Sequence, residues 1–315
     1  MRVICLAYQL IGHMGLRYFL EETEDEVAAV FSHEDSPGEE IWWPSIAELA
    51  KNHDVPVYTP ENINEQQWVD AIRALRPDLI FSFWYRYLVK RPVLEIAPGG
   101  ALNLHGSLLP KYRGRAPVNW VLVNGEQKTG ITLHYMVERA DAGDMVGQAV
   151  EPIGSQDTAL PLYHKLAEAG LEVLRAAWPL LRAGAAPRIP QDQSAATYFG
   201  RRIPEDGRFD WHWPALAIHN LVRAVTHPYP GAFTRGRGGN LYVWSAAPAP
   251  GLLHPDPPAP GTVTRVSEEG ITVATGEGSL LLHRLQLDGE GELAGPDFAA
   301  RHGLERGSSL GPREE

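Results

Sequence analysis

The sequence predicts an α/β domain followed by a small all-β domain, on three observations. Over residues 1–150, compact apolar runs alternate with stretches of helical spacing, as in a mostly parallel sheet covered by helices. After residue 240 the apolar runs become short and are divided by Gly, Asn and Pro clusters, the pattern of a small β-barrel. The length of 315 residues suits about two domains at roughly 150 residues each.

In chain order, residues 2–8 form a compact apolar run, a buried-strand pattern, and residues 27–32 form a second. Residues 46–53 read as helix and Val55-Pro56-Val57-Tyr58 as an edge strand. Trp68, Ile72 and Leu75 give residues 65–75 a helical apolar face, which Pro77 ends. Strands follow at 78–83, 100–104 and 130–137. Ligands on such sheets sit beyond the carboxyl ends of the strands. Residues 158–181 are the longest helical candidate, with Leu162, Leu166, Leu171 and Leu174 on one face. Residues 187–206 are loop-like, and residues 211–226 read as helix. Short strands then fall at 241–245, 261–266, 270–274 and 279–287, with a proline-rich extended loop over 247–261. The expected division is an α/β domain over 1–190, a linker over 191–206, a β domain over 207–303 and a disordered tail over 304–315.

Composition narrows the function. A 44% hydrophobic share with 21% charged residues is that of a globular chain. No apolar run approaches the roughly 20 residues of a membrane-spanning helix, and the apolar start at Val3 is too short for a signal-peptide core. The single cysteine, Cys5, excludes an internal disulfide framework and a cysteine-based zinc cluster, so a cytoplasmic setting is expected. The histidines lack ligand spacing, and no metal is expected. A net charge of −11 argues against a nucleic-acid partner, because phosphate contacts dominate such binding. Gly12 and Gly15 follow the first strand, but a third glycine is missing from the dinucleotide-binding pattern, and no P-loop, zincin or hydrolase-elbow motif occurs.

One block does stand out, Asn103-Leu104-His105-Gly106-Ser107-Leu108-Leu109-Pro110-Lys111-Tyr112-Arg113-Gly114-Arg115-Ala116-Pro117. Asn103 and His105 lie two apart at the end of a strand, so both side chains share a face. An amide donor beside a proton acceptor suits acyl transfer to an amine. Spacing alone accommodates a structural Asn cap and a surface histidine equally well. The second block, Val137-Glu138-Arg139-Ala140-Asp141-Ala142-Gly143-Asp144, ends a strand and turns. A carboxylate there is placed to orient His105, and a solvated Asx turn is the competing reading.

Together these blocks resemble the signature of the 10-formyltetrahydrofolate-dependent formyltransferases, N-x-H-x-S-x-L-P-x-Y-R-G followed by a D-x-G-D turn. The resemblance spans roughly residues 2–300 and implies a Rossmann-like formyltransferase core with a C-terminal OB-like β-barrel. Within that family it is closer to the domains that act on UDP-4-amino-4-deoxy-L-arabinose in bifunctional enzymes of polymyxin resistance and lipid A modification. Ser36-Pro37-Gly38-Glu39, Phe81-Ser82-Phe83-Trp84-Tyr85-Arg86, Phe199-Gly200-Arg201-Arg202, Asn220-Leu221-Val222-Arg223-Ala224-Val225 and Pro228-Tyr229-Pro230-Gly231-Ala232-Phe233 carry that closer match. A decarboxylase domain that follows in those enzymes is absent from this sequence.

The resemblance implies that Asn103 holds the oxyanion, His105 moves the proton and Asp141 holds His105. It places 10-formyltetrahydrofolate as co-substrate against Tyr87, Leu88, Val89, Arg115, Val137, Glu138, Arg139, Ala140 and Asp141. Tyr8 and Gln9, in a loop over 9–15, and Arg201 and Arg202, as diphosphate contacts, are expected on the nucleotide-sugar side. A solvated pair is the competing reading of the two arginines. The sequence departs from the closer relatives at Gln9-Leu10-Ile11-Gly12, where they have His-Asp-Met-Gly, and at Tyr87, where they have His. Methionyl-tRNA formyltransferase is the alternative; the acidic charge, and Ala7-Tyr8-Gln9-Leu10 in place of a Phe-Gly-Thr-Pro run, weigh against it. The expected partners are a nucleotide sugar and a second copy in a homodimer, with no nucleic acid and no membrane.

Overall fold

The computed structural model describes residues 1–35, 40–236, 238–249 and 258–311. Ser36-Pro37-Gly38-Glu39, residues 250–257 of the proline-rich stretch and residues 312–315 lie outside the described residues. The chain forms two units. The first comprises Met1–Pro117, Lys128–Ile153 and Tyr163–Gly200, and the second Val118–Gln127, Gly154–Leu162 and Arg201–Glu315.

The elements begin with β1 (Arg2–Ala7), α1 (Gln9–Glu21), β2 (Glu26–Phe31), α2 (Ile46–Asn52), β3 (Val57–Tyr58), α3 (Gln66–Leu75), β4 (Leu79–Phe83) and α4 (Arg91–Leu94). They continue with β5 (Ala101–His105), β6 (Arg113–Gly114), α5 (Pro117–Val123), β7 (Lys128–Tyr135), β8 (Met145–Pro152), α6 (Ala159–Arg182) and β9 (Tyr198–Phe199). The second unit adds α7 (Ala215–Val225), β10 (Ala232–Gly236), β11 (Gly239–Ala249), β12 (Val263–Ser267), β13 (Gly270–Ala274), β14 (Ser279–Leu287), β15 (Leu293–Ala294) and α8 (Gly295–His302).

The first unit is built on a seven-stranded sheet of order β3-β2-β1-β4-β5-β7-β8. The first five in that order are parallel, and β7 and β8 are antiparallel additions. This is the Rossmann-like α/β architecture that the sequence predicts. The chain winds outward from β1 to β3, then returns to β4 on the other side of β1. Strand order reverses there, and the crevice beyond the carboxyl ends of β1 and β4 is where such sheets bind ligands. The short β3 closes one edge, as Pro56 leads one to expect.

Both sheet faces are covered. On one, Ile4, Leu6, Phe31 and Ile80 pack against Val69 and Ile72 of α3 and Val93 of α4. On the other, Phe19 of α1 meets Phe81 of β4 and Trp178 of α6, each at a ring separation of 4.9 Å. The stretch over 9–15, read as a loop, is the first half of α1. Its glycines serve packing. A Cβ at Gly12 would stand 3.0 Å from the Ala7 backbone, and one at Gly15 would stand 2.9 Å from the Phe83 ring. Bare backbone at these two positions lets α1 lie close on β1 and β4.

Residues 187–206 are more ordered than a loop-like reading suggests. Ile189 pairs with Met145, and β9 pairs in parallel with β6. In the second unit an antiparallel sheet runs β10-β11-β14-β13-β12, with β15 on β14. This is the C-terminal antiparallel β domain that the sequence predicts, its path among the described residues running from β10 to β12. Helix α7 is bound to it by His219 Nδ1, which donates to the Ala246 carbonyl at 2.8 Å. Within the stretch read as a tail, Gly307 and Leu310 donate to the carbonyls of Val263 and Gly261, at 2.8 and 2.9 Å.

The loop after β5 depends on one buried hydroxyl. Thr132 of β7 donates to the Ser107 carbonyl at 2.7 Å. It accepts from Leu109 N–H at 3.2 Å and from Gln148 Nε2 at 2.8 Å. Thr132→Val keeps the shape and strands these groups. It is expected to lower unfolding stability by about 1–3 kcal/mol, measured by urea denaturation.

Candidate active site

Parallel strand β5 ends on His105, and antiparallel β7 lies against it with Asn103 opposite His134 and His105 opposite Thr132. Alternation along β5 sends Asn103 and His105 to one side, where both line a cavity of about 480 Å³ at the strand ends. The chain leaving β7 turns at Asp141, which has φ +53°. Aspartate tolerates this left-handed conformation better than most residues. The turn carries its carboxylate back over the strand ends.

Asp141 is the hub. Its Oδ1 lies 3.6 Å from His105 Nδ1, 3.4 Å from His134 Nε2 and 3.4 Å from Asn103 Nδ2. Its Oδ2 accepts from Gly114 N–H at 2.8 Å. Gly114 has φ +99°, and a Cβ there would strike the Phe199 carbonyl at 2.3 Å, so glycine is required. Burial by itself raises the carboxyl pKa of Asp141. Coulombic attraction to the imidazoles of His105 and His134, the His134 hydrogen bond and the Gly114 amide outweigh that and hold it far below the usual carboxylate range. The group is therefore a buried carboxylate anion.

The imidazoles are oriented by backbone. His105 Nε2 donates to the Tyr112 carbonyl at 2.8 Å, which turns Nδ1 toward Asp141. His134 Nδ1 donates to the Tyr135 carbonyl at 2.8 Å, so Nε2 faces Asn103 Nδ2 at 3.3 Å. Both histidines are buried, which removes the surface reading of His105. His134 was missed in the sequence. Its signal is a histidine inside the alternating strand pattern over 130–137.

The structure brings Tyr8, Gln9, Tyr87, Leu88, Val89, Arg115, Val137 and Ala140 to the same cavity wall. Tyr87 and Leu88 are 48% and 55% exposed, an apolar rim. Glu138 and Arg139 do not line it, and the Arg139 guanidinium lies 4.8 Å from the Tyr198 ring instead. Arg201 and Arg202 belong to the second unit and do not line it either. Arg202 stacks on Trp120 at 4.5 Å and donates to the Asp206 carbonyl at 2.7 Å, so it is not a solvated arginine.

At the β1 end of the cavity, Arg86 donates to the Tyr8 hydroxyl at 2.5 Å, and Tyr8 donates to Asp35 at 3.0 Å. The Arg86 backbone N–H donates to His33 Nε2 at 3.0 Å, and burial with Arg86 lowers the pKa of His33 to about 4. His33 is thus a neutral acceptor. The described residues hold no cluster of His, Cys, Asp and Glu placed for a metal ion. Among them no helix is long and apolar enough to cross a membrane.

The depressed Asp141 carboxyl makes stability depend on pH with a definite sign. Its contribution is full above the unfolded value of about 3.9 and is lost as pH falls below it. The stability gap between wild type and Asp141→Asn is expected to be constant from pH 7 to about 5 and to shrink by pH 3, read from urea midpoints.

The chain matches a family model described as formyl transferase over residues 13–177. It matches a second, the formyl transferase C-terminal domain, over residues 202–303. Among solved structures, WlaRD, a sugar 3N-formyl transferase in the presence of dTDP and 5-N-formyl-THF, superposes with a TM-score of 0.68 at 19% identity, covering 90% of this chain and 97% of that one. An N-formyltransferase from Helicobacter canadensis, in complex with folinic acid and dTDP-3-aminofucose, gives 0.67 at 20%, covering 89% and 98%. A HypX variant from Aquifex aeolicus gives 0.62 at 18%, and this chain covers 49% of its length. At these identities the structures share the fold. The first family match covers more than half of the 315 residues, and the protein belongs to the formyl transferase family.

Proposed function

We propose that the protein transfers a formyl group from 10-formyltetrahydrofolate to the primary amine of a nucleotide-linked amino sugar. One observation carries the reading: Asn103, His105 and the Asp141 carboxylate meet at the strand ends on one cavity. An amine attacking a formyl carbon needs an oxyanion donor, a proton acceptor and an anion to stabilise the protonated acceptor. Those are the three groups present. Solved relatives described with formyl-folate and dTDP-sugar ligands support the donor and the acceptor class.

In the proposed reaction the amine nitrogen bonds to the formyl carbon, and the carbonyl oxygen becomes an oxyanion facing Asn103. Asn103 Nδ2 stands 3.3 and 3.4 Å from its present partners, long enough for an N–H to turn to the oxyanion. His105 Nδ1 takes the amine proton, and Asp141 stabilises the imidazolium. The bond from carbon to the folate nitrogen then breaks, and that nitrogen receives the proton.

The cavity suits the folate. Its volume of about 480 Å³ is ordinary for a small-molecule site. Its rim at residues 87–89 and 137–140 lies outside the strands. We place the pterin between Leu88, Val89, Val137 and Ala140, with Arg115 near it. Tyr8 and Gln9, beside Arg86, face the sugar. The sugar itself is proposed to be UDP-4-amino-4-deoxy-L-arabinose or a relative, in a cytoplasmic homodimer.

The test is product mass from 10-formyltetrahydrofolate with UDP-4-amino-4-deoxy-L-arabinose, dTDP-3-aminofucose, a GDP-amino sugar or methionyl-tRNA. A formylated nucleotide sugar is expected, and formylation of methionyl-tRNA alone overturns the reading. Asn103→Ala is expected to lower kcat about 100- to 1,000-fold, with KM for folate little changed.

A further inference from the structure

Away from the cavity wall, the first unit holds a buried cation with no acid beside it. Arg113 is 0% exposed. Its Nε and Nη2 donate to Gln191 Oε1 at 3.1 and 2.6 Å. Its Nη1 donates to Gln193 Oε1 at 3.0 Å and to the Tyr198 hydroxyl at 2.6 Å. Among the described residues its hydrogen-bond partners are all neutral. Burying a charge without a counter-ion is costly, so a carboxylate at 191 would serve Arg113 better.

The amide is explained by its other end. Gln191 is itself buried, and its Nε2 donates to the carbonyls of Asp141 at 2.8 Å and Gly143 at 2.6 Å. A glutamate has no hydrogens for those carbonyls. A glutamine accepts two bonds from the cation at one end and gives two at the other. The guanidinium polarises the amide and strengthens both N–H donors.

We propose that Gln191 is a positioning residue for the transfer reaction. Through it, Arg113 clamps the main chain on both sides of Ala142 and keeps the Asp141 carboxylate on His105, His134 and Asn103. The inference rests on the proposed role of Asp141.

The test uses the full chain with 10-formyltetrahydrofolate and UDP-4-amino-4-deoxy-L-arabinose, or dTDP-3-aminofucose where that sugar turns over. Gln191→Met removes both ends of the clamp. Gln191→Glu keeps the volume, strengthens the Arg113 pairing and replaces the two donors with a carboxylate oxygen that repels the same two carbonyls, so it carries the measurement where Gln191→Met does not fold. Each is expected to lower kcat about 10- to 100-fold, with KM for both substrates within about 3-fold. In an Asp141→Asn background the same changes are expected to cost less than about 3-fold further, since they act through a group already removed. Wild-type kcat in a folded Gln191 variant, or an undiminished loss in the Asp141→Asn background, overturns the inference alone. Wild-type kcat in Asp141→Asn itself overturns the functional reading beneath it.

Discussion

A carboxylate that stays ionised while buried is the constraint around which the first unit is arranged. Asp141 is well shielded from water, and burial works against its charge. The compensation comes from three separate stretches: Asn103 and His105 on β5, His134 on β7, and the Gly114 amide on β6. His134 is close to Asp141 in sequence, but Asn103, His105 and Gly114 come from stretches well before it, so the anion is fully compensated only once β5 and β7 have paired. An unpaired charge in that place would cost several kcal/mol. The side chains that surround the charge include those the proposed reaction requires, so on that reading stability and reactivity share one set of contacts.

That arrangement explains the precision of the surrounding backbone. His105 and His134 each spend one ring nitrogen on a main-chain carbonyl, which fixes the nitrogen left facing Asp141. The carbonyl serving His105 belongs to Tyr112, just before the strand β6 that supplies the Gly114 amide. The loop after β5 therefore sets the tautomer of one histidine and solvates the carboxylate through one short run of backbone.

The sequence disclosed what local pattern can carry. Strand positions, the edge strand at Val57–Tyr58 and the shared face of Asn103 and His105 follow from alternation and proline placement. The turn at 137–144 is legible from the residues, and the choice of Asp141 within it comes from the family resemblance. What stayed hidden depends on pairing between distant stretches. His134 joins the site because the antiparallel register sets it opposite Asn103. Gln191 sits in a stretch whose composition reads as loop, and only the fold reveals that Arg113 is buried behind it. Gly12 and Gly15 were ambiguous for the same reason, since closeness to a strand and closeness to a ligand both call for a missing side chain. Glu138 and Arg139 stand off the cavity wall because a turn that lines a cavity shows it only some of its side chains.

The order in which the chain visits its two units has a practical consequence. Residues 118–127 and 154–162 leave the first unit and cluster with the second before the chain returns. There Asn119 is tied to the Ala224 carbonyl at 2.8 Å, and Arg223 to the Gly154 carbonyl at 3.3 Å. A truncation after residue 200 would retain both excursions while deleting the helix that receives them. A cut at that point would therefore divide the second unit rather than release the first.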